Sequence, residues 1–168
     1  RLRKPLQSKR KQKYGTSKLE EFFAREYLDK LGLKYVYEYE AKEIGRFYDF
    51  AIVLTDQPSC IMENKNGITS IKQNTLTSKI SILIECDGDF YHGNMEVMKN
   101  MKLNKMQQRN KIVDAIKDRW CAIHHIPLLR IWENDIKNNP KKVFDLLKVY
   151  IDEAKRRLCI EETKKVPH

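Results

Sequence analysis

The stretch ILIECDGDFYH, from Ile82 to His92, decides the expected fold because an apolar strand runs directly into carboxylates and a histidine. Side chains alternate along a strand, so Glu85 and Asp87 are expected on one face. Gly88 permits a sharp exit from the strand, which brings His92 back over the same site. Carboxylate oxygens suit a hard cation, and an imidazole suits proton transfer. The stretch therefore predicts a metal site with a base beside it.

One helix and two strands are predicted before this stretch. Apolar residues at helical spacing over residues 19–31 predict the first helix, which we expect to bury Leu31. Residues 33–39 and 47–54 are rich in aromatic and β-branched side chains, which predicts a hairpin. The polar segment 55–78 is expected to be an excursion in which residues 67–71 can add a short strand.

The elements after residue 78 complete the pattern. Residues 79–86 predict a third strand buried on both faces, and residues 126–132 predict a fourth. A helix is predicted over 102–120, and Asn139-Pro140 predicts the start of a closing helix with the Asn as its cap. We expect the inward stripe of helix 102–120 to hold Met106, Arg109, Ile112, Val113, Ile116 and Trp120. The order predicts an α/β fold with a mixed four-stranded sheet flanked by helices, in which helix 102–120 crosses over between strands.

The charge of the chain favours a polyanionic partner. The 168 residues suit one domain and carry a net charge of +10. Seven basic and no acidic residues lie between Arg1 and Lys13. We therefore expect residues 1–15 to form a basic arm or linker and residues 16–168 to form the domain. The arm can bind nucleic acid through Lys9, Arg10, Lys11 and Lys13, or it can be a solvated linker.

Several classes of protein are disfavoured by the sequence. The four cysteines lack the paired spacing of a zinc site, and no apolar run is long enough to cross a membrane. We expect a cytoplasmic, reducing location, no membrane partner and no small-molecule cofactor. Because the chain does not begin with Met, we expect it to be part of a longer protein.

Four segments together resemble one family. They are Ser17-Lys18-Leu19-Glu20, Asp49 on the second strand, Asp87-Gly88-Asp89-Phe90-Tyr91-His92, and the closing strand around 129–133. This set resembles the PD-(D/E)xK nuclease superfamily, in its branch of very short patch repair endonucleases and EDxHD homing endonucleases. The resemblance covers about residues 17–150. It implies a restriction-endonuclease-like αβββαβ core, here with an extra C-terminal helix, and a bacterial or phage-type context.

The resemblance implies a metal-dependent DNA endonuclease. Asp49 and Asp87 would bind Mg²⁺, or Mn²⁺, with help from Glu85 and the Cys86 backbone carbonyl. His92 would transfer the proton, because Asp87 stands where the superfamily usually has a lysine. With Glu20 on the first helix, the catalytic set is then Glu20, Asp49, Asp87 and His92, acting on double-stranded DNA.

Each of these residues also has a purely structural interpretation. Glu20 lies three positions after Ser17, as in a capping box. A buried Asp49 needs a cation or an arginine but can also cap a strand end. Glu85 can pair with Lys79 or Arg46 instead of a metal. His92 can be an exposed loop residue.

Further candidates concern DNA. Phe90 and Tyr91 can be core aromatics, or they can wedge between bases as the resembled repair enzymes imply. On helix 102–120, Arg109 and Lys117 are candidate DNA-binding residues. Asn110, Asp114 and Lys117 share one side of that helix and can border the site, although solvated residues are the simpler interpretation.

Three functions remain open at this stage. A homing endonuclease is favoured, because the basic arm looks like a linker from a preceding DNA-binding module and because Asp87 stands where the repair enzymes have His. A mismatch or repair nicking enzyme is the second. A non-catalytic nucleic-acid-binding module is the third, although such a module gains nothing from carboxylates that repel DNA.

Overall fold

The computed structural model describes residues 16–99 and 101–166, and for Thr16, Ser17 and Val97 it describes the backbone only. The basic arm at 1–15 and the Ser17 side chain of the predicted capping box lie outside the described residues. The strands are β1 (Lys34–Ala41), β2 (Arg46–Val53), β3 (Met62–Lys65), β4 (Ile68–Ile71), β5 (Ile82–Asp87) and β6 (Leu128–Trp132). The α-helices are α1 (Thr16–Phe23), α2 (Asp89–His92), α3 (Met95–Met98), α4 (Lys105–Ile123), α5 (Glu133–Asn138) and α6 (Pro140–Lys165).

The main sheet has four strands in the order β1-β2-β5-β6. β1 pairs antiparallel with β2, and β2 pairs antiparallel with β5. β5 pairs parallel with β6, and α4 makes the crossover between them. The predicted α/β class with a mixed four-stranded sheet is confirmed.

Two apolar clusters cover the two faces of this sheet. The first packs α1 and α6 against β2, β5 and β6 through Phe23, Phe50, Ile84, Ile131 and Leu147, among others. The second packs α4 against the opposite face and includes Tyr48, Leu83, Trp120 and Cys121. Side chains of β5 alternate between the clusters, so the residues that follow Leu83 at every second position face α4.

The first helix ends differently from the prediction. Its α-helical part stops at Phe23 and continues as one π-helical turn over Ala24–Leu28. Gly32 then adopts φ 64°, the left-handed conformation usual after a helix. Leu31 is 43% exposed, so its predicted place on the buried stripe is wrong. The π-helical turn changes the angular spacing, which carries Leu31 off that stripe.

The polar segment 55–78 contains a second, two-stranded sheet. β3 and β4 pair antiparallel across Asn66-Gly67, both of which have positive φ as a tight hairpin turn requires. The predicted short strand at 67–71 is thus confirmed as β4. Ser70 Oγ accepts a hydrogen bond from the Tyr37 backbone N at 3.1 Å, which ties this hairpin to β1.

The buried face of α4 is polar, which the sequence pattern did not predict. Ile112 is 63% exposed and Ile116 is 40% exposed, although both were predicted to face inward. Trp120, which is buried, fits the prediction. Gln107 and Lys117 are buried in place of the isoleucines. The helix is therefore rotated relative to its apolar pattern, and it presents Lys117 to β5 and amide groups to the turn that follows β5.

The closing helix begins at Pro140, as predicted, but its cap differs. Asn139 makes no capping hydrogen bond with its side chain. Its Nδ2 instead donates to Asp135 Oδ1 at 2.8 Å, in the preceding helix α5. Across residues 16–99 and 101–166, no helix combines the length and the apolar character needed to cross a bilayer.

Candidate active site at the end of β5

Asp49 lies where the ladder between β2 and β5 stops. The last paired residues are Phe50 and Ile84. Asp49 is the residue before Phe50 on β2, and its Oδ2 accepts a hydrogen bond from the Cys86 backbone N at 2.7 Å. The Asp49 side chain is buried, with 1% of the residue exposed. Its carboxylate therefore takes the place of a backbone acceptor beside the acidic end of β5.

A backbone irregularity in β1 lies opposite Asp49. Glu38 adopts φ 54° between the pairs Tyr37↔Phe50 and Tyr39↔Tyr48. Tyr37 packs in the cluster under α1, whereas Tyr39 packs in the cluster under α4. The alternation of side chains thus breaks beside Asp49, which only a non-regular backbone allows.

Glu85 forms a buried ion pair with Lys117 on α4. Lys117 is a partner that the alternative interpretation, a pair with Lys79 or Arg46, did not include. Lys117 Nζ also lies 5.1 Å from the centre of the Tyr48 ring, and the Lys117 residue is 6% exposed. Because a phosphate contact needs an accessible ammonium, the predicted role of Lys117 in binding DNA is corrected to a buried partner of Glu85.

Asp87 faces both a cation and the predicted base. Arg130 Nη1 lies 3.3 Å from each Asp87 carboxylate oxygen, and His92 Nε2 lies 3.8 Å from Oδ1. Burial raises the pKa of Asp87 above its ordinary value, and His92 and Arg130 oppose that shift only in part. The end of β5 therefore holds a carboxylate whose ionised form is poorly solvated.

His92 is oriented by Asp114, which lies on the inner face of α4. His92 Nδ1 is 2.9 Å from Asp114 Oδ2. Burial raises the pKa of Asp114, but the hydrogen bond from His92 and the charges around it outweigh burial, so the pKa lies below its ordinary value. An ionised carboxylate only accepts hydrogen bonds, so Nδ1 carries the proton and Nε2 points towards Asp87.

Arg130 is a residue of this site that sequence reasoning missed. Its position on β6 lies opposite Glu85 in the parallel register. Its Nε and Nη2 donate to Asp118 at 3.0 Å, and its Nη1 is 3.4 Å from Asp114. A signal was present, because Leu129 and Ile131 face the other cluster and so turn Arg130 towards α4.

The turn after β5 carries exposed aromatic side chains. Phe90 is 53% exposed and Tyr91 is 42% exposed, with their ring centres 5.6 Å apart. The expectation that they are core residues is excluded. Gly88 has an ordinary φ of −63°, so the predicted need for glycine flexibility is wrong. Its constraint is space, because a Cβ there would lie 3.3 Å from Tyr91 Cδ2.

Glu20 and Arg109 take contrasting positions. Glu20 is buried, as predicted, and its Oε2 accepts a hydrogen bond from Tyr37 Oη at 2.5 Å. Burial, and then the charge of Glu20, raises the pKa of Tyr37, which keeps the phenol protonated as a donor. Arg109 is exposed on α4, where its guanidinium can meet a phosphate.

The suitability of this site for a metal can be tested by charge. Four acids contact two cations, since Glu85 pairs with Lys117 and Arg130 contacts Asp87, Asp114 and Asp118. Within the described parts of the chain, no three His, Cys, Asp or Glu side chains are arranged to hold a metal ion. Glu85 is held by Lys117. The surplus of carboxylates favours a cation near Asp87, with Glu85 removed from the expected ligands.

Arg130 already divides its guanidinium among three acids. Its contacts with Asp118 are 3.0 Å, shorter than the 3.3 Å contacts with Asp87. An ion at Asp87 would therefore compete with the longer contacts of Arg130, and the shorter ones could remain.

Comparison of the chain with protein-family models, with curated protein sequences and with solved structures gives no match.

Proposed function

We propose that this chain is a DNA endonuclease that hydrolyses phosphodiester bonds on a restriction-endonuclease-like core. The observation that carries the proposal is the hydrogen bond between His92 and Asp114 beside the buried Asp87. An imidazole with one nitrogen fixed and the other facing a carboxylate cluster is suited to general acid–base catalysis. The resemblance described above, in the branch of the very short patch repair and EDxHD homing endonucleases, points to the same chemistry.

His92 does its work at Nε2. Because Asp114 holds the proton on Nδ1, Nε2 is free to take a proton from the attacking water or to return one to the leaving oxygen. Asp114 also stabilises the imidazolium that this step creates. Lys117 holds the Glu85 side chain at the strand end.

Asp49 and Asp87 would hold the divalent ion, with help from the backbone carbonyl of Cys86, the residue before Asp87. When bound, Mg²⁺ or Mn²⁺ polarises the scissile phosphate and stabilises the charge that develops on its oxygens. The acid surplus around Asp87 supports this assignment, because a cation offsets the charge that burial makes costly. Glu20 is buried on α1, where its Oε2 accepts a hydrogen bond from Tyr37, and its part in the reaction is the one that the resemblance implies.

The partner is double-stranded DNA. The net charge of +10 supports a polyanion, and the exposed Arg109 lies on the same helix as Asp114. The arm residues Lys9, Arg10, Lys11 and Lys13 would follow the DNA backbone without reading sequence. A homing endonuclease is the preferred form of this proposal.

Nicking of a supercoiled plasmid tests the proposal. We expect cleavage with Mg²⁺, none with EDTA, and none by the variants Asp49→Ala and His92→Ala. His124→Ala and Asp145→Ala are the matched controls, because His124 pairs with Glu43 and Asp145 pairs with Lys141, both at the surface. Cleavage that persists in EDTA, or in both site variants, would remove the proposed site.

The exposed aromatic pair supports a second function, nicking of a distorted base pair. Phe90 and Tyr91 lie beside His92 and are not held by a core. An aromatic pair of this kind can enter an unstacked base step. The double variant Phe90→Ala, Tyr91→Ala should lose its preference for a mismatched duplex over a matched one. Leu31→Ala, another exposed apolar change, should keep that preference.

A non-catalytic nucleic-acid-binding module is the third function, and one observation favours it. Lys117 and Arg130 neutralise Glu85 and Asp87, as in a structural ion-pair network. In that case DNA binding would be equal in Mg²⁺ and EDTA, and no condition would produce nicks.

A further inference from the structure

Three consecutive residues after β5 are each held by α4. Gln107 Nε2 donates to the Phe90 carbonyl oxygen at 2.5 Å, and Asn110 Nδ2 donates to the Tyr91 carbonyl oxygen at 2.6 Å. Asp114 then accepts from His92 at 2.9 Å. Positions 107, 110 and 114 are three and four residues apart, so they line one face of the helix. These three hydrogen bonds thus join one face of α4 to the turn at residues 90–92.

Gln107 is fixed at both ends of its amide. Its Oε1 accepts from the Asn104 backbone N at 2.8 Å, which completes a capping box at the start of α4. Its Nε2 donates to Phe90, and the residue is 1% exposed. Oxygen and nitrogen cannot exchange places here, because the Asn104 N–H needs an acceptor and the Phe90 carbonyl needs a donor.

The turn has backbone hydrogen bonds of its own, and Asn94 Nδ2 donates to Asp89 Oδ1 at 2.8 Å, but these bonds do not reach α4. α2 has four residues, far fewer than a helix needs to be stable alone. It ends at Gly93, which has φ 67°. Phe90 and Tyr91 are exposed, so burial of their rings does not anchor the turn. The hydrogen bonds from Gln107, Asn110 and Asp114 are the described contacts that join Phe90, Tyr91 and His92 to α4.

We propose that Gln107 and Asn110 are positioning residues that lock the turn 90–92 to α4, so that the aromatic pair and His92 act as one rigid unit. The consequence for catalysis rests on the proposed nuclease function. DNA that contacts Phe90 or Tyr91 would then meet an imidazole already in its working place. Neither Gln107 nor Asn110 needs to touch the substrate for this role.

Isosteric acid variants separate positioning from helix capping. Gln107→Glu keeps the acceptor for Asn104, a position where Glu is well suited to a capping box, and it removes the donor to Phe90. Asn110→Asp removes the donor to Tyr91 in the same way. Gln108→Glu is the matched control, because Gln108 is exposed and its Nε2 donates to the Leu103 carbonyl oxygen at 2.9 Å, away from the turn. All three variants add one negative charge.

The first measurement is hydrogen exchange of the full chain in the segment 88–94. In Gln107→Glu and Asn110→Asp we expect exchange there to be about 10-fold faster or more, and faster than any fall of the urea midpoint accounts for, since the new carboxylate of Gln107→Glu is buried; Gln108→Glu should exchange like the unmodified chain. The second is single-turnover nicking. We expect a rate about 10- to 100-fold lower in both variants, with a Kd for the same duplex no weaker than that of Gln108→Glu.

Exchange equal to that of the control would overturn the proposal. Loss of nicking in proportion to loss of the urea midpoint would overturn it as well, because the amides would then be structural only. If the unmodified chain cuts no DNA, the nuclease function fails, and the exchange measurement alone decides whether Gln107 and Asn110 hold the turn.

Discussion

His92 Nδ1 lies 2.9 Å from Asp114 Oδ2, which joins the turn after β5 to the inner face of α4. The bond fixes both the tautomer and the plane of the imidazole. The other imidazole nitrogen, Nε2, lies 3.8 Å from Asp87 Oδ1. The pair therefore has the arrangement of a base with its orienting carboxylate.

The variant Asp114→Asn should retain the fold and lose most nicking activity. An amide can offer a donor to Nδ1, which favours the wrong tautomer, so we expect the single-turnover rate to fall by about 100-fold or more. Asp118→Asn is the control, because Asp118 contacts Arg130 but makes no described contact with His92. If both variants nick DNA at equal rates, His92 does not depend on Asp114.

The raised pKa of Asp87 predicts that a variant without this carboxylate is more stable but loses function. A carboxyl whose folded pKa is raised loses folded-state stability as the pH rises from its unfolded pKa through the folded value. We therefore expect Asp87→Asn to be more stable than the unmodified chain by roughly 0.5–2 kcal/mol at pH 7.5. The difference should shrink as the pH falls below the unfolded value. Urea unfolding at pH 7.5 and at a pH below the unfolded pKa of Asp87 measures this difference in stability.

Mg²⁺ provides the companion measurement for Asp87→Asn. It should raise the Tm of the unmodified chain and leave the Tm of the variant unchanged, because only the former keeps both acidic ligands. A variant that is clearly less stable at pH 7.5 would contradict the prediction. Asp87 would then be an anchor for Arg130, as in a binding module.

Sequence patterns predicted the strands better than the helix that carries the site. Aromatic and β-branched content sufficed for β1 and β2, and the apolar run before Glu85 sufficed for β5, because burial on the sheet selects those residues. In α4 the apolar pattern indicated the wrong face. Ile112 and Ile116 are exposed, whereas Gln107 is buried against the turn after β5 and Lys117 against β5 itself.

The physical reason is that α4 packs on a polar strand end. Gln107 and Asn110 donate hydrogen bonds to backbone carbonyls of the turn after β5. Asp114 accepts one from the His92 imidazole, and Lys117 pairs with the Glu85 carboxylate. Their spacing of three and four residues is as regular as an apolar stripe, and it was available in the sequence. The partners were not, because Glu85 and Lys117 are 32 residues apart and meet only through the crossover.

The basic arm should control the salt dependence of DNA binding. Changing Lys9, Arg10, Lys11 and Lys13 to Gln removes up to four phosphate contacts, so the slope of log K against log salt should decrease by about 3 to 4. Titration of one duplex at several salt concentrations measures this slope. The control changes four exposed lysines of α6, Lys148, Lys155, Lys164 and Lys165, to Gln. Equal slopes for the two variants would exclude a specific role for the arm.

The pair Glu85–Lys117 distinguishes a structural ion pair from a catalytic lysine. Lys117→Met leaves a buried carboxylate without its ammonium, so we expect a loss of about 3–5 kcal/mol in the free energy of unfolding. The double variant Glu85→Gln, Lys117→Met should recover most of that loss, because the unpaired charge is gone. Urea unfolding of the two single variants and the double variant closes the cycle. A Lys117→Met variant that is fully stable but cuts no DNA would instead place the ammonium in the reaction.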